Sequence, residues 1–403
     1  MGKTLGRPVV RFNRGRPPPQ STSVAKPVRT SVTPLVPIDW TGAEETFDAQ
    51  DIYELAVRRA GQLSRLVEVT GGKGRSSCFL VDRARARGEI KVSVFHTSSS
   101  TLGEFRANLQ RAGALSSVDL RTHAADGAPG FGDLSLSFVF LDVEVGSIER
   151  ELTAWWSKVE RGGMLAGGGY EAVRGAVDAF VAKLGLGPSF RLHKGSWMLH
   201  KPLSVDAMCC INLPGRADRR VAVEAQFRSA GIADNVEFFD AIPGEQVEHP
   251  HVISNEQAGC VASHLAAIGR ARQNGAKNVL IFEDDVQLVD DFTTRFAAAL
   301  SQCPGSYDVL YVGAICVPKW GNYLHGFDDR LARAGRVGGS HAYMINTSIE
   351  PRMRSDLASM RSWYGEHLMR RVQPERRSFV CVPYLAMPAR GAQAEDFSQY
   401  VYR

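Results

Sequence analysis

The chain predicts an α/β protein built from two Rossmann-like α/β domains. Three observations carry that expectation. Short apolar runs of strand length alternate with amphipathic stretches of about three helical turns, which is the pattern of open, mostly parallel sheets. The alternation stops near residue 185 and restarts near residue 205. The length of 403 residues suits two or three domains. The sequence therefore divides into an arm at 1–38, a first α/β domain at 39–184, a linker at 185–204 and a second α/β domain at 205–403.

The arm carries Lys3, Arg7, Arg11, Arg14, Arg16, Lys26 and Arg29, no acid, and Pro8, Pro17, Pro18, Pro19, Pro27, Pro34 and Pro37. Such a stretch lacks apolar periodicity and reads as a disordered or polyproline extension, with an anionic surface as its candidate partner. Subtracting those seven charges from the net +5 leaves the remaining chain at −2. The basicity belongs to the arm, which argues against a nucleic-acid-binding body. With 44% apolar and 23% charged residues, the body is globular in composition. No run is long and apolar enough for a membrane span, and no secretory signal is visible. Seven cysteines without C-x-x-C pairs suit reduced thiols. The expected location is cytoplasmic.

In the first domain, "DIYELAVRRAGQLS" from Asp51 is an amphipathic helix and "RLVEV" (65–69) a strand. Glycines and a helix from Ser76 follow. "IKVSVF", "SVDLR", "LSFVFLDVE" and "MLAGG" supply further strands, interleaved with "LGEFRANLQRAGA", "SIERELTAWWSKVE" and "EAVRGAVDAFVAKLG" as helices. Trp155 and Trp156 read as core or interdomain contacts. In the second domain "VDAMCCINL", "VEFFDAI", "KNVLIFEDDV", "YDVLYVGA" and "SHAYMIN" are strands, with a long loop expected at 315–335.

The sharpest chemical signal is Val279-Leu280-Ile281-Phe282-Glu283-Asp284-Asp285. A buried-type strand ends in three carboxylates, and ligands of open α/β sheets bind at the carboxyl ends of strands. Adjacent carboxylates repel unless they are solvated or share a cation. Hard oxygen donors suit Mg²⁺ or Mn²⁺ beside substrate phosphates. A solvated turn, or acids set before a helix N-terminus, gives the same residues a structural reading. Strand alternation would place Glu283 and Asp285 on one side and Asp284 on the other.

Residues 205–403 resemble glycosyltransferase family 25, the lipopolysaccharide and procollagen galactosyltransferases. The landmarks run in order: "CINLPGRADRR" (210–220), "FFDAI" (238–242), "EQAGCVASHLAAI" (256–268), "VLIFEDDV" (279–286), "YDVLYVGA" (307–314) and "GGSHAYMIN" (338–346). "VPYLAMPARGAQAEDF" (382–397) matches less closely. The resemblance implies a GT-A-type fold and a metal-dependent inverting transfer of a sugar, commonly galactose from UDP-galactose. The acceptor would be a glycan or another hydroxyl, and the cofactor Mn²⁺ or Mg²⁺. It places Asp285 and Glu283 as metal ligands, with Asn212, Arg216, Arg219, Ser263, His264, Glu283 and Asp284 toward the donor. Glu366 in "WYGEHL" is the candidate general base for the acceptor hydroxyl.

Residues 50–185 resemble class I S-adenosylmethionine-dependent methyltransferases. "LVEVTGGKGRSS" (66–77) keeps Glu68 and Gly74, with Gly71 and Gly72 as partial compensation for Thr70, and "FVFLDVE" keeps Asp142. The same resemblance marks losses. Thr70 replaces a glycine, His96 stands where an acid would hold the cofactor ribose, and Gly168 and Gly169 replace a His-Asp pair. The skeleton is kept while the polar ligands are eroded, so S-adenosylmethionine is a doubtful cofactor. Three functional readings follow: a glycosyltransferase with a degenerate methyltransferase-like domain, a bifunctional glycosyltransferase and methyltransferase, or a non-catalytic binding scaffold.

Overall fold

The computed structural model describes residues 47–61, 64–88, 90–122, 127–315, 323–389 and 401–402. The basic arm lies outside them. Among the described residues one compact unit runs to Leu203 and includes Leu300–Ser306. The other comprises Ser204–Ala299 and Tyr307–Arg403.

The first unit runs α1 (Gln50–Arg59), β1 (Arg65–Thr70), α2 (Arg75–Arg85), β2 (Lys91–His96), α3 (Leu102–Arg111), β3 (Val118–Thr122), β4 (Leu136–Asp142), α4 (Ile148–Lys158), β5 (Val159–Gly167), α5 (Tyr170–Lys183), β6 (Phe190–His193) and β7 (Ser196–His200). The strands form one sheet in the order β3-β2-β1-β4-β5-β7-β6. The first five are parallel, and β7 closes antiparallel on β5. Alternate residues of each strand face opposite sides. Leu66, Val94 and Phe138 accordingly pack with residues of α1–α3. Val67, Val69, Val139 and Leu141 pack with residues of α4 and α5, including the fully buried Trp155. Cover on both faces explains why β4 reads as a near-continuous apolar run from Phe138 to Leu141. It also buries Glu68, which lies on the α1–α3 face. The chain winds outward from β1 to β3 and then returns to β4, so the strand order reverses between β1 and β4. The expected linker at 185–204 holds a hairpin instead. β6 and β7 pair with each other, and β7 extends the sheet.

The second unit runs β8 (Ala207–Asn212), α6 (Ala217–Ser229), β9 (Val236–Asp240), α7 (Asn255–Gln273), β10 (Asn278–Glu283), β11 (Val286–Leu288), α8 (Phe292–Gln302), β12 (Val309–Tyr311), β13 (Tyr323–Gly326), β14 (Leu331–Gly335), β15 (Ala342–Asn346), α9 (Glu350–Leu357), α10 (Tyr364–His367), β16 (Ser378–Cys381), β17 (Ala386–Pro388) and β18 (Val401–Tyr402). Its main sheet has the order β18-β13-β14-β16-β12-β15-β10-β8-β9. β9, β8 and β10 are parallel, while β15 is antiparallel to both β10 and β12. The expected long loop at 315–335 contains β13 and β14, paired antiparallel. α7 starts at a capping box: Ser254 Oγ accepts from the Gln257 N–H and Gln257 Oε1 from the Ser254 N–H. Its Val261, Leu265 and Ile268 join the core of the sheet. β8 has β9 on one side and β10 on the other, so this half-sheet also reverses direction, between β8 and β10. No helix among the described residues is long and apolar enough to cross a membrane.

Candidate functional site

Asn212 ends β8 and Glu283 ends β10 on the neighbouring parallel strand, where Glu283 is in register with Ile211. The three carboxylates therefore leave the sheet at its switch point, where open α/β sheets bind ligands. They line a cleft of about 400 Å³ together with Arg219, Cys260 and His264. A larger hollow of about 560 Å³ lies beside Asp206 and Asn274, at the N-terminal end of β8 and away from the acidic motif.

The three acids have different surroundings. Asp284 is 8% exposed, and both its oxygens are taken. Asn212 Nδ2 donates to Oδ2 at 2.8 Å, and Arg219 donates to Oδ1 at 2.8 Å. Glu283 accepts from Ser340 Oγ at 2.6 Å, and its Oε1 lies 3.2 Å from His264 Nε2. Burial alone would raise the Glu283 pKa, but His264, Ser340 and His341 outweigh it and hold the carboxyl below its ordinary range. Asp285 shows the opposite balance: burial first, then the Glu283 charge, push its pKa up. Its Oδ1 is buried with no hydrogen-bond partner among the described residues.

His264 is 1% exposed and held from three directions. Its ring stacks on Tyr364 at 4.3 Å with an interplanar angle of 11°. Its Nδ1 lies 2.8 Å from Tyr343 Oη, which lies 2.8 Å from Tyr364 Oη. Burial opposes charge on the ring, yet Cys260 and Glu283 raise its pKa to about 9.

Other expected residues lie elsewhere or serve the backbone. Arg216 forms a bidentate pair with Asp218 at 2.7 and 2.9 Å and does not line the cleft. Ser263 Oγ accepts from the Ile242 N–H at 2.9 Å and donates to the Gly259 carbonyl at 2.6 Å, so its hydroxyl is spent on main chain. Glu366 pairs with Arg370 at 2.8 Å and is not among the cleft residues. Sequence reasoning missed Cys260, Ser340, Tyr343 and Tyr364. The spacing of Cys260 and His264, four apart on a helix, was the one readable signal.

The first unit has its own cleft, of about 500 Å³, at the β1–β4 switch point, lined by Tyr53, Thr70, Asp142, Gly168 and Gly169 among others. Glu68, Gly72, Gly74 and His96 are not on its lining. Glu68 lies beneath and accepts from Tyr53 Oη at 2.9 Å, Ser76 Oγ at 2.5 Å and Ser77 Oγ. Burial raises its pKa against the pull of these hydroxyls. The glycine turn binds its own surroundings. Thr70 Oγ1 accepts from the Gly72 N–H, Thr101 Oγ1 donates to the Gly71 carbonyl, and His96 Nε2 lies 3.0 Å from the Gly72 carbonyl oxygen. Gly74 has φ +100°, and a Cβ there would meet Leu109 Cδ1 at 2.6 Å, which requires glycine. Asp142 accepts from Thr70 at 3.2 Å.

Residues 206–320 match the sequence model of glycosyltransferase family 25 (LPS biosynthesis protein). A glycosyltransferase 25 family member of Drosophila pseudoobscura pseudoobscura is 28% identical over 165 residues, covering 36% of this chain and 26% of the relative. One of Drosophila melanogaster is 26% identical over 165 residues, covering 36% and 27%. The chain thus spans about a quarter of the length of the curated relatives it matches. Solved structures similar to part of the chain include an O-methyltransferase from Bacillus cereus (14% identical, TM-score 0.33, 39% of this chain and 83% of that one). A methyltransferase from Geobacter sulfurreducens is another (20% identical, TM-score 0.30, 40% and 80%). The chain is therefore similar to glycosyltransferase family 25 in its second unit.

Proposed function

We propose that the second unit is a glycosyltransferase that moves a sugar, galactose by preference, from a UDP-sugar to a glycan or other hydroxyl acceptor, with inversion and with Mn²⁺ or Mg²⁺. The observation that carries this reading is the convergence of Arg219 and the acidic motif on one cleft at the switch point, with Asn212 bonded to Asp284, inside the segment that matches the family. The donor chemistry fits a hard cation at Asp285. Its Oδ1 is a buried oxygen without a partner among the described residues, as a metal ligand is before its ion arrives. When bound, the ion supplies positive charge against the donor diphosphate and the departing nucleotide.

The chain's own residues set the rest of the site. Asp284 is not free to meet the donor, because it locks β8 to β10 through Asn212 and anchors the Arg219 guanidinium at the cleft wall. Glu283 is fixed by Ser340 and His264, so its carboxylate presents a defined negative edge to the cleft. Arg219 is the cation placed to meet a phosphate or developing oxyanion. No base is assigned, because Glu366 lies off the cleft. A turnover panel of nucleotide sugars with and without Mn²⁺ tests the proposal. Release of UDP that needs both Mn²⁺ and an acceptor supports it, and the absence of turnover with every donor refutes it.

For the first unit the proposed role is that of a scaffold. S-adenosylmethionine does not fit well: His96, where a ribose-binding acid would stand, is buried against Phe105 and occupied by the Gly72 carbonyl. Its imidazole has no bidentate acceptor to offer two hydroxyls.

A further inference from the structure

We infer that the second unit contains a site for a thiophilic divalent cation, Zn²⁺ in character, formed by Cys260 Sγ, His264 Nε2 and a Glu283 carboxylate oxygen. This goes beyond the proposed sugar transfer and is separate from the hard-cation position at Asp285.

The three ligand atoms lie within 4.8 Å of one another. Cys260 and His264 sit four residues apart on α7, so the helix presents both from one face. Glu283 reaches the same point from the end of β10. In a tetrahedral zinc site with bonds of about 2.0–2.3 Å, neighbouring ligand atoms stand roughly 3.3–3.6 Å apart. The His264–Glu283 separation of 3.2 Å is already there, and the thiol lies within 4.8 Å of both.

The surroundings match those of a built ligand set. A metal-binding histidine generally donates its other ring N–H to a neighbour that fixes the tautomer and ring plane. Here Nδ1 faces Tyr343 Oη, and Tyr343 is in turn bonded to Tyr364, whose ring stacks on the imidazole. His264 is thus held with Nε2 toward the carboxylate before any ion arrives. All three residues line the cleft, which gives an ion a route in and room for a fourth, non-protein ligand. A thiolate, a neutral imidazole and a carboxylate carry a combined charge of −2, which balances the ion. On binding, the protons carried by Sγ and Nε2 pass to solvent, and the His264–Glu283 hydrogen bond is replaced by two metal bonds. A soft thiolate and an imidazole favour Zn²⁺ over Mg²⁺ or Mn²⁺, whereas the carboxylate oxygens of Asp285 favour the reverse.

Titration of the full chain with Co²⁺ under reducing conditions is the test, because a cobalt–thiolate bond has its own charge-transfer absorption. The expected result is one equivalent of that band, bleached by Zn²⁺ and not by Mg²⁺, lost in Cys260→Ser and retained in Asp285→Asn. Tyr343→Phe keeps the ring and removes only the hydroxyl behind His264. It should weaken binding by roughly 10–100-fold while melting as a folded protein. No band with Co²⁺ in excess, or a band undiminished in Cys260→Ser, overturns the assignment. Because no sugar donor enters the measurement, failure here is distinct from failure of the transferase reading.

Discussion

The side-chain amide of Asn212 and the carboxylate of Asp284 meet at 2.8 Å across 72 residues of chain, and that bond ties the end of β8 to the end of β10. Asn212→Ala leaves Asp284 Oδ2 buried with no donor, which costs about 1–3 kcal/mol. The denaturation midpoint should fall accordingly. An unchanged midpoint would show that the bond holds nothing together.

Asp285→Asn should separate stability from activity. Burial and the Glu283 charge raise the Asp285 pKa in the folded protein. Its contribution to stability is therefore fully present below the ordinary aspartate range and is lost as pH rises through the raised value. At neutral pH the carboxylate is a liability, and the amide removes it. The variant should melt at or above the wild-type temperature, while UDP-sugar turnover falls by about 100-fold or more. Wild-type turnover in Asp285→Asn would remove this residue from the metal site.

Glu68 allows a pH test in the first unit. Burial raises its pKa, so its stabilising contribution fades as pH climbs from the usual glutamate range through the raised value. Glu68→Gln should flatten that part of the stability–pH curve. Glu68→Ala strips the acceptor from the buried hydroxyls of Tyr53 and Ser77, each worth about 1–3 kcal/mol when orphaned. Equal stability of the Gln and Ala variants at neutral pH would contradict this account of the Glu68 cluster.

Calorimetric titration of the full chain with S-adenosylmethionine should show weak binding or none. Each charge-assisted bond absent at the ribose end costs about 1.5–3 kcal/mol, or one to two decades of affinity. A dissociation constant in the low micromolar range would favour a bifunctional enzyme instead.

The strand ending in Glu283-Asp284-Asp285 was legible because a strand buried on both faces must be apolar throughout, so a sudden run of acids marks where it leaves the sheet. β6 was not, since its residues are only half-buried and follow glycine and proline. β13 and β14 were hidden in a glycine-rich stretch whose alternation is too short to separate from loop. At the site, residue type identified the acids but not the division of labour among them. That division is set by Asn212, Arg219 and Ser340, which come from distant stretches of chain. Ser263 illustrates the converse: a residue of the right type, in the right motif, whose hydroxyl is consumed by the Ile242 and Gly259 backbone. Nothing in the spacing of Tyr343 and Tyr364 announces the histidine that both contact.

The antiparallel insertion of β15 beside β10 has a consequence for synthesis of the chain. Ser340, which fixes Glu283, lies 57 residues downstream of it. At roughly 5–20 residues per second, a ribosome delivers it about 3–11 s after Glu283. Throughout that interval β9, β8 and β10 can already pair as a parallel trio, with one edge of β10 bare and Glu283 without its Ser340 hydrogen bond. The nascent protein thus passes through a stage lasting seconds in which an apolar strand, buried in the folded chain, has one edge unpaired.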